Sequence, residues 1–456
     1  MQFAQRAAYA GLKLAAAIAL IVLCVPLTAI NRNEFLRLSR PPMGWNSWDS
    51  YGTAVREEQV KANADVMARE LLAFGWQYVV VDIQWYEPNA GGHDYRAGAP
   101  LTMDAYGRLL PATNRFPSAV GGAGFKNLAD FVHAKGLKFG IHIMRGIPRQ
   151  AVEQNLPILA TSFRAAEIAD RTNVCAWNQD MYGVDMSKPG AQAYYDSIVA
   201  LYASWGVDFI KADDMSRPYA LRAPEVHALS SAIRTSGASI LLSLSPGPAP
   251  ISEAADLRAN AQMWRISDDF WDDWTLLKKQ FDYTRDWAPY IGKDDTWPDA
   301  DMLPLGKLRI TDKNGAPQRT RFTQDEQQTV MTLWSMFRSP LIFGGDLPSL
   351  DPATLALLTN REVLEIDQKS SGNRQVLERG NLRVWIADVP GSRDEYVAVF
   401  NLGDAAEASH LSWMELGAQI TNPTARDLWQ HRNLGRRENF DAALRPHASA
   451  LYRISP

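Results

Sequence analysis

From Pro41 to about Gly345, short apolar runs alternate with stretches whose apolar residues recur at helical spacing. The runs include WQYVVVDI (76–83), LKFGIHI (137–143), VDFIKAD (207–213), ILLSLS (240–245) and MWRISDD (263–269). They are rich in β-branched residues and too short for helices, so they read as strands buried on both faces. Between them, EEQVKANADVMARELLAFG (57–75) places Val60, Ala64, Met67 and Leu71 on one face and ends in Gly75, a helix stop. AQAYYDSIVALYASWG (191–206) has the same period and ends in Gly206. With MGWNSW (43–48) first and PLIFGG (340–345) last, about eight βα units fit. A (β/α)8 TIM barrel, typically about 250 residues, suits that count. An open doubly wound sheet is the alternative arrangement of the same units.

After about Glu365 the texture changes. LRVWIAD (382–388), YVAVFNL (396–402), ARDLW (425–429) and ASALYRI (448–454) are short, alternate apolar with polar, and are separated by turn residues. They predict a C-terminal antiparallel β-sandwich domain packed against the barrel. The expected division is a barrel over residues 38–355 and a β domain over 365–456.

Composition narrows the classes. Hydrophobic residues make up 46% and charged residues 21% of the 456, an ordinary globular mix. Lys plus Arg (47) against Asp plus Glu (51) gives a net charge of −4, with no basic bias for nucleic acid. The two cysteines exclude a disulfide scaffold or a Cys-rich metal module. At the N-terminus, Arg6 and Lys13 precede the apolar run LAAAIALIVLCVPLTAI (14–30). That is the layout of a secretory signal, and it predicts export to the periplasm or the extracellular space. The run is short of the roughly 20 residues of a membrane span, although an uncleaved N-terminal anchor is the other reading.

In a barrel, strand C-termini face the active site. Three predicted strands end in carboxylates: Asp82, Asp213 with Asp214, and Asp268 with Asp269. Any one of them read singly is an N-cap for the next helix. Together at one mouth they form the equipment of glycoside hydrolysis, one carboxylate as nucleophile and one as acid/base. Lys211 shares a strand face with Asp213 and is placed to hold it ionised. The 15 Trp and 15 Tyr include Trp45, Trp48, Trp85, Trp177, Trp271 and Trp297 near strand ends, where rings can stack on sugars or simply fill the core. There is no HExxH, GxSxG or Walker A pattern. GGAGFKN (121–127) is not a dinucleotide loop, and the seven His show no metal-ligand spacing.

On six ordered segments the chain resembles glycoside hydrolase family 27, the α-galactosidase and α-N-acetylgalactosaminidase family. They are PPMGWNSWDSYG (41–52), GWQYVVVDIQW (75–85), GLKFGIHI (136–143), GVDFIKADD (206–214), MWRISDDFWDDW (263–274) and WPDADMLPLG (297–306). The resemblance covers residues 38–456 and implies a barrel followed by an antiparallel β domain. It also implies a retaining double displacement, with carboxyl groups about 5–5.5 Å apart. It implies Asp213 as nucleophile and Asp269, ahead of Asp268, as acid/base. Trp45, Asp82, His142, Lys211, Ser245, Arg265 and Asp301 follow as substrate-binding residues. No metal or cofactor is implied; the expected partner is an oligo- or polysaccharide, and the oligomeric state is left open.

Two departures bear on the sugar. The family's Asp-Asp pair is Asp82-Ile83 here, and Ile cannot hydrogen-bond a hydroxyl. Either a neighbour such as Asp49 or Gln84 substitutes, or the specificity differs. LSLSPG (242–247) stands where α-galactosidases have Cys-Glu-Trp, and Ser245 matches a serine of α-N-acetylgalactosaminidases. The first expectation is an exported α-galactosidase. The alternatives are isomalto-dextranase, β-L-arabinopyranosidase or α-N-acetylgalactosaminidase activity, or a non-catalytic sugar-binding protein.

Overall fold

The computed structural model describes residues 36–311, 318–420 and 422–456. The N-terminal basic and apolar segment, read above as a signal or anchor, lies outside the described residues. Eight parallel strands form the barrel: β1 (Met43–Asn46), β2 (Tyr78–Val81), β3 (Lys138–Met144), β4 (Phe209–Asp213), β5 (Leu241–Leu244), β6 (Met263–Arg265), β7 (Trp297–Asp299) and β8 (Leu341–Phe343). β2 to β7 each pair with the strand before, and β8 pairs with β1. Leu303, just past β7, bridges Phe343, so the ring of strands closes. Its N–H donates to Ile342 at 2.7 Å, and its carbonyl accepts from Gly344. This is the barrel, not the open sheet.

The strands are almost wholly buried, because one face meets the barrel interior and the other the helices. That is why they read as continuous apolar runs. The helix predicted over 57–75 is α-helical from Glu57 to Val66, then loosens into a π turn (Met67–Leu71) and a 3₁₀ turn. Gly75 closes it in the left-handed region (φ 101°), a conformation that costs glycine little. Between β3 and β4 the chain builds a small antiparallel sheet from Ile147–Pro148, Ala169–Val174 and Met181–Val184. It projects over the barrel mouth and has no counterpart in the apolar pattern.

The C-terminal domain has a six-stranded antiparallel sheet: β9 (Ser371–Arg379), β10 (Leu382–Asp388), β11 (Glu395–Asn401), β13 (Thr424–Asp427), β14 (Arg432–Arg436) and β16 (Ser449–Ser455). A two-stranded ribbon, β12 (Glu407–Ser412) with β15 (Asn439–Leu444), packs on it. The period of two is visible in the packing. Val384, Ile386, Val397 and Val399 face the domain's own core, while Trp385, Ala387, Ala398 and Phe400 join the barrel's core. Phe400 meets Phe281 edge-on at 5.0 Å.

Candidate active site

The strand C-termini open into a cavity of about 290 Å³. It is at the lower end of the ~300–1,000 Å³ usual for small-molecule sites. Below it the barrel interior is filled by side chains, leaving only a narrow space beside Ser243, Ser245 and Met263.

Asp213 is the last residue of β4. Its Oδ2 lies 3.0 Å from the ring Nε2 of His142, and its Oδ1 accepts the Asp214 N–H at 2.9 Å. Burial opposes its charge, but the His142 ring, Lys211 and that backbone N–H outweigh burial and hold its carboxyl below the usual range. The strand end is braced from behind. Asp214 adopts φ 58° and is fixed by Arg145 at 2.7 Å and Arg222 at 3.1 Å, and Arg145 also meets Glu225 at 2.5 Å.

Asp82, just beyond β2, accepts from Lys211 Nζ (2.9 Å), Asn46 Nδ2 (2.7 Å) and the Ile83 N–H (2.9 Å). Against burial, Lys211, His142 and that N–H hold it well below the ordinary carboxylate range. Burial pulls Lys211 down, but Asp82 and Asp213 raise it above an ordinary lysine. On the opposite wall Arg265 reaches Asp301 at 2.7 Å and Asp269 at 3.3 Å. Burial pushes Asp301 up to about 7 despite Arg265, with help from Asp269 and Asp299. Asp269 is 56% exposed at the rim. Its neighbour Asp268 also lines the cavity and pairs there with Arg217 at 2.6 Å.

The structure therefore brings Asp82, Lys211, Asp213, Arg265, Asp269 and Asp301 to one cavity. The other three expected residues stand behind the wall. Trp45 is buried with its indole N–H on the Gly345 carbonyl (2.8 Å), because β1 ends at Asn46, one residue after it. Trp48, on the short helix that follows, lines the cavity instead. His142 is fully buried and reaches the cavity only through Asp213, and Ser245 lies in the narrow space below. Sequence reasoning also missed Tyr95, Arg217, Phe270 and Met302 on the wall. Tyr95 stacks on Trp48 (6.1 Å between centroids) and contacts Trp177 (5.5 Å), and the His93 ring links Trp48 (5.0 Å) to Trp271 (5.7 Å), so these rings form one aromatic cluster. Only the end of β1 after Asn46 was a usable signal, since it hands the wall position to Trp48. Trp85 and Trp297 are core. Ile83 is 1% exposed and makes no polar contact through its side chain.

A buried ionised carboxylate and a second one at the solvent edge fit a displacement at an acetal carbon. Among the described residues no group of three or more His, Cys, Asp or Glu could hold a metal ion.

Comparison with known proteins agrees. The family profile described as Alpha galactosidase A matches residues 40–187 and 178–369. That of the Alpha galactosidase C-terminal beta sandwich domain matches 379–454. The chain is 29% identical to alpha-galactosidase 2 of Arabidopsis thaliana, over 93% of this chain and 91% of that protein. It is 30% identical to the alpha-galactosidase of Coffea arabica, over 91% and 94%. A family 27 β-L-arabinopyranosidase from Geobacillus stearothermophilus superposes with a TM-score of 0.89 at 52% identity, covering 92% of this chain and 97% of that one. A variant of that enzyme has been solved in complex with arabinose. By profile, sequence and fold, the chain belongs to glycoside hydrolase family 27 and is a glycosidase.

Proposed function

We propose that the chain removes terminal β-L-arabinopyranosyl residues from plant-type oligo- or polysaccharides, with retention of configuration. The observation that carries the choice of sugar is Ile83. A β-L-arabinopyranoside has the ring stereochemistry of an α-D-galactopyranoside but lacks the C6 hydroxymethyl group. An apolar residue in place of the second sugar-binding carboxylate suits the smaller sugar, because it has one fewer hydroxyl to satisfy. The 52% identity to an arabinopyranosidase supports the same reading. The second reading is an α-galactosidase, favoured by the names of the curated relatives.

In the first step Asp213 attacks the anomeric carbon while Asp269 protonates the departing glycosidic oxygen, leaving a glycosyl ester on Asp213. In the second, Asp269 takes a proton from water, which displaces Asp213 from the same carbon. Asp82 and Lys211 on one side, and Arg265 and Asp301 on the other, hold the ring hydroxyls. Trp48 offers its face to the CH surface of the sugar. The basic and apolar layout of residues 1–30 supports export, with or without a retained membrane anchor.

The test is kcat/KM on nitrophenyl β-L-arabinopyranoside, α-galactoside, α-N-acetylgalactosaminide and α-glucoside. The arabinopyranoside should lead the α-galactoside by about tenfold or more, the worth of one mismatched polar group. Parity, or an α-galactoside lead, would overturn the choice of sugar. Cell fractionation with N-terminal sequencing of the mature protein tests export; a cytosolic protein beginning at Met1 would refute it.

A further inference from the structure

Asp49 stands on the short helix Trp48–Tyr51 that follows β1 and contributes to the cavity wall. It is fully buried, and neither carboxyl oxygen has a hydrogen-bond partner among the described residues. Buried carboxyl groups are almost always paired, so two idle oxygens at the edge of a binding cavity call for a function.

The group is also held in place. The Asp49 carbonyl accepts the Arg309 N–H at 2.8 Å, and the next residue, Ser50, donates through its hydroxyl to the Gly344 carbonyl. Behind the side chain is Gly344, where an added Cβ would lie 1.9 Å from Asp49 Oδ2. The backbone of β8's exit thus closes one side of the carboxyl group, and Asp49 forms part of the cavity wall. Asp82, on the same wall, already accepts from Lys211, Asn46 and the Ile83 N–H.

We propose that Asp49 is a sugar-binding residue, whose carboxyl group takes a ring hydroxyl of the glycone. The inference rests on the reading of this cavity as a pyranose site. Burial and the Asp301 carboxyl raise the Asp49 pKa well above the ordinary value, with Asp269 adding to the rise and Lys211 and Arg309 opposing it. A neutral carboxyl offers one donor and one acceptor, the complement of a hydroxyl that also does both. Asn offers the same pair in nearly the same shape, whereas Ala and Leu offer neither.

The experiment compares Asp49→Asn, Asp49→Ala and Asp49→Leu with the wild type on whichever panel glycoside the wild type cleaves fastest. Inhibition by free L-arabinose and D-galactose, and Tm, are measured alongside. Ala and Leu should lose about ten- to a hundredfold in kcat/KM and weaken monosaccharide inhibition in parallel, the cost of an unmatched buried hydroxyl. Tm should not fall, since the partner lost is the sugar, and Asn should restore most of the loss. Ala at wild-type kcat/KM and inhibition would overturn the proposal. So would an activity loss that follows Tm while monosaccharide affinity stays constant. A wild type that prefers another glycoside would refute the choice of arabinopyranose and leave this comparison intact on that substrate.

Discussion

Replacing Lys211 with Met removes one half of a buried ion pair. Its Nζ lies 2.9 Å from Asp82 Oδ2, and the two side chains are 13% and 2% exposed. Asp82 would keep Asn46, the Ile83 N–H and the nearby His142 ring, but lose its ion-pair partner. Removing one partner of such a pair costs about 3–5 kcal/mol, because the remaining charge stays desolvated. At about 2 °C per kcal/mol, the low end of the range for large domains, Tm at pH 7.5 should fall by about 6–10 °C. The pH dependence identifies the cause. In the wild type Asp82 is depressed, so its contribution is present above the unfolded carboxylate pKa of about 3.9 and disappears as pH falls through the lower folded value. Lys211 is raised and stays charged throughout that window. Without Lys211 burial dominates, Asp82 takes up a proton at higher pH, and the deficit should shrink between pH 7.5 and pH 5. Adding Asp82→Asn to Lys211→Met should recover at least half of the lost Tm, measured by scanning calorimetry as a double-mutant cycle. Equal losses at both pH values, or no recovery in the double variant, would refute the argument.

Asp213→Asn should abolish turnover by about 10⁴-fold or more while L-arabinose still binds, as calorimetric titration would show; residual turnover within a hundredfold would remove the nucleophile assignment. For Asp269→Asn the loss should depend on the leaving group: about 10²–10⁴-fold on an alkyl glycoside and much less on a nitrophenyl one, which needs little protonation. His142→Phe removes the ring N–H beside Asp213, so its carboxyl pKa should rise and the acidic limb of kcat/KM should move to higher pH; an unmoved limb would show that His142 does not tune Asp213. Ile83→Asp should raise the α-galactoside to β-L-arabinopyranoside ratio of kcat/KM by about 10- to 150-fold, the worth of about 1.5–3 kcal/mol for a hydrogen bond to a charged group.

The sequence exposed the barrel because strands buried on both faces become uninterrupted apolar runs, and it exposed the carboxylates because they end those runs. Asp82, Asp213 and Asp269 were therefore visible from position alone. Trp45 and Trp48 were harder to tell apart, since the choice turns on whether β1 ends at Asn46 or two residues later. His142 lies on β3 and Ser245 just past β5, but they reach Asp213 and the narrow space below, a distinction of depth that a linear pattern does not carry. Tyr95 and Trp177 come from long excursions after β2 and β3, where irregular backbone leaves no period to read. The idle oxygens of Asp49 depend on the approach of Gly344, nearly three hundred residues away in the chain.

A cavity of about 290 Å³, small for a binding site, suits one terminal sugar better than a length of polymer running past the point of cleavage. Under the proposed function, each catalytic cycle sets free a single pentose and no longer fragment. A branched polymer treated to completion is stripped of its outermost decorations while its backbone keeps its length. Reducing-sugar release will thus run far ahead of any fall in viscosity.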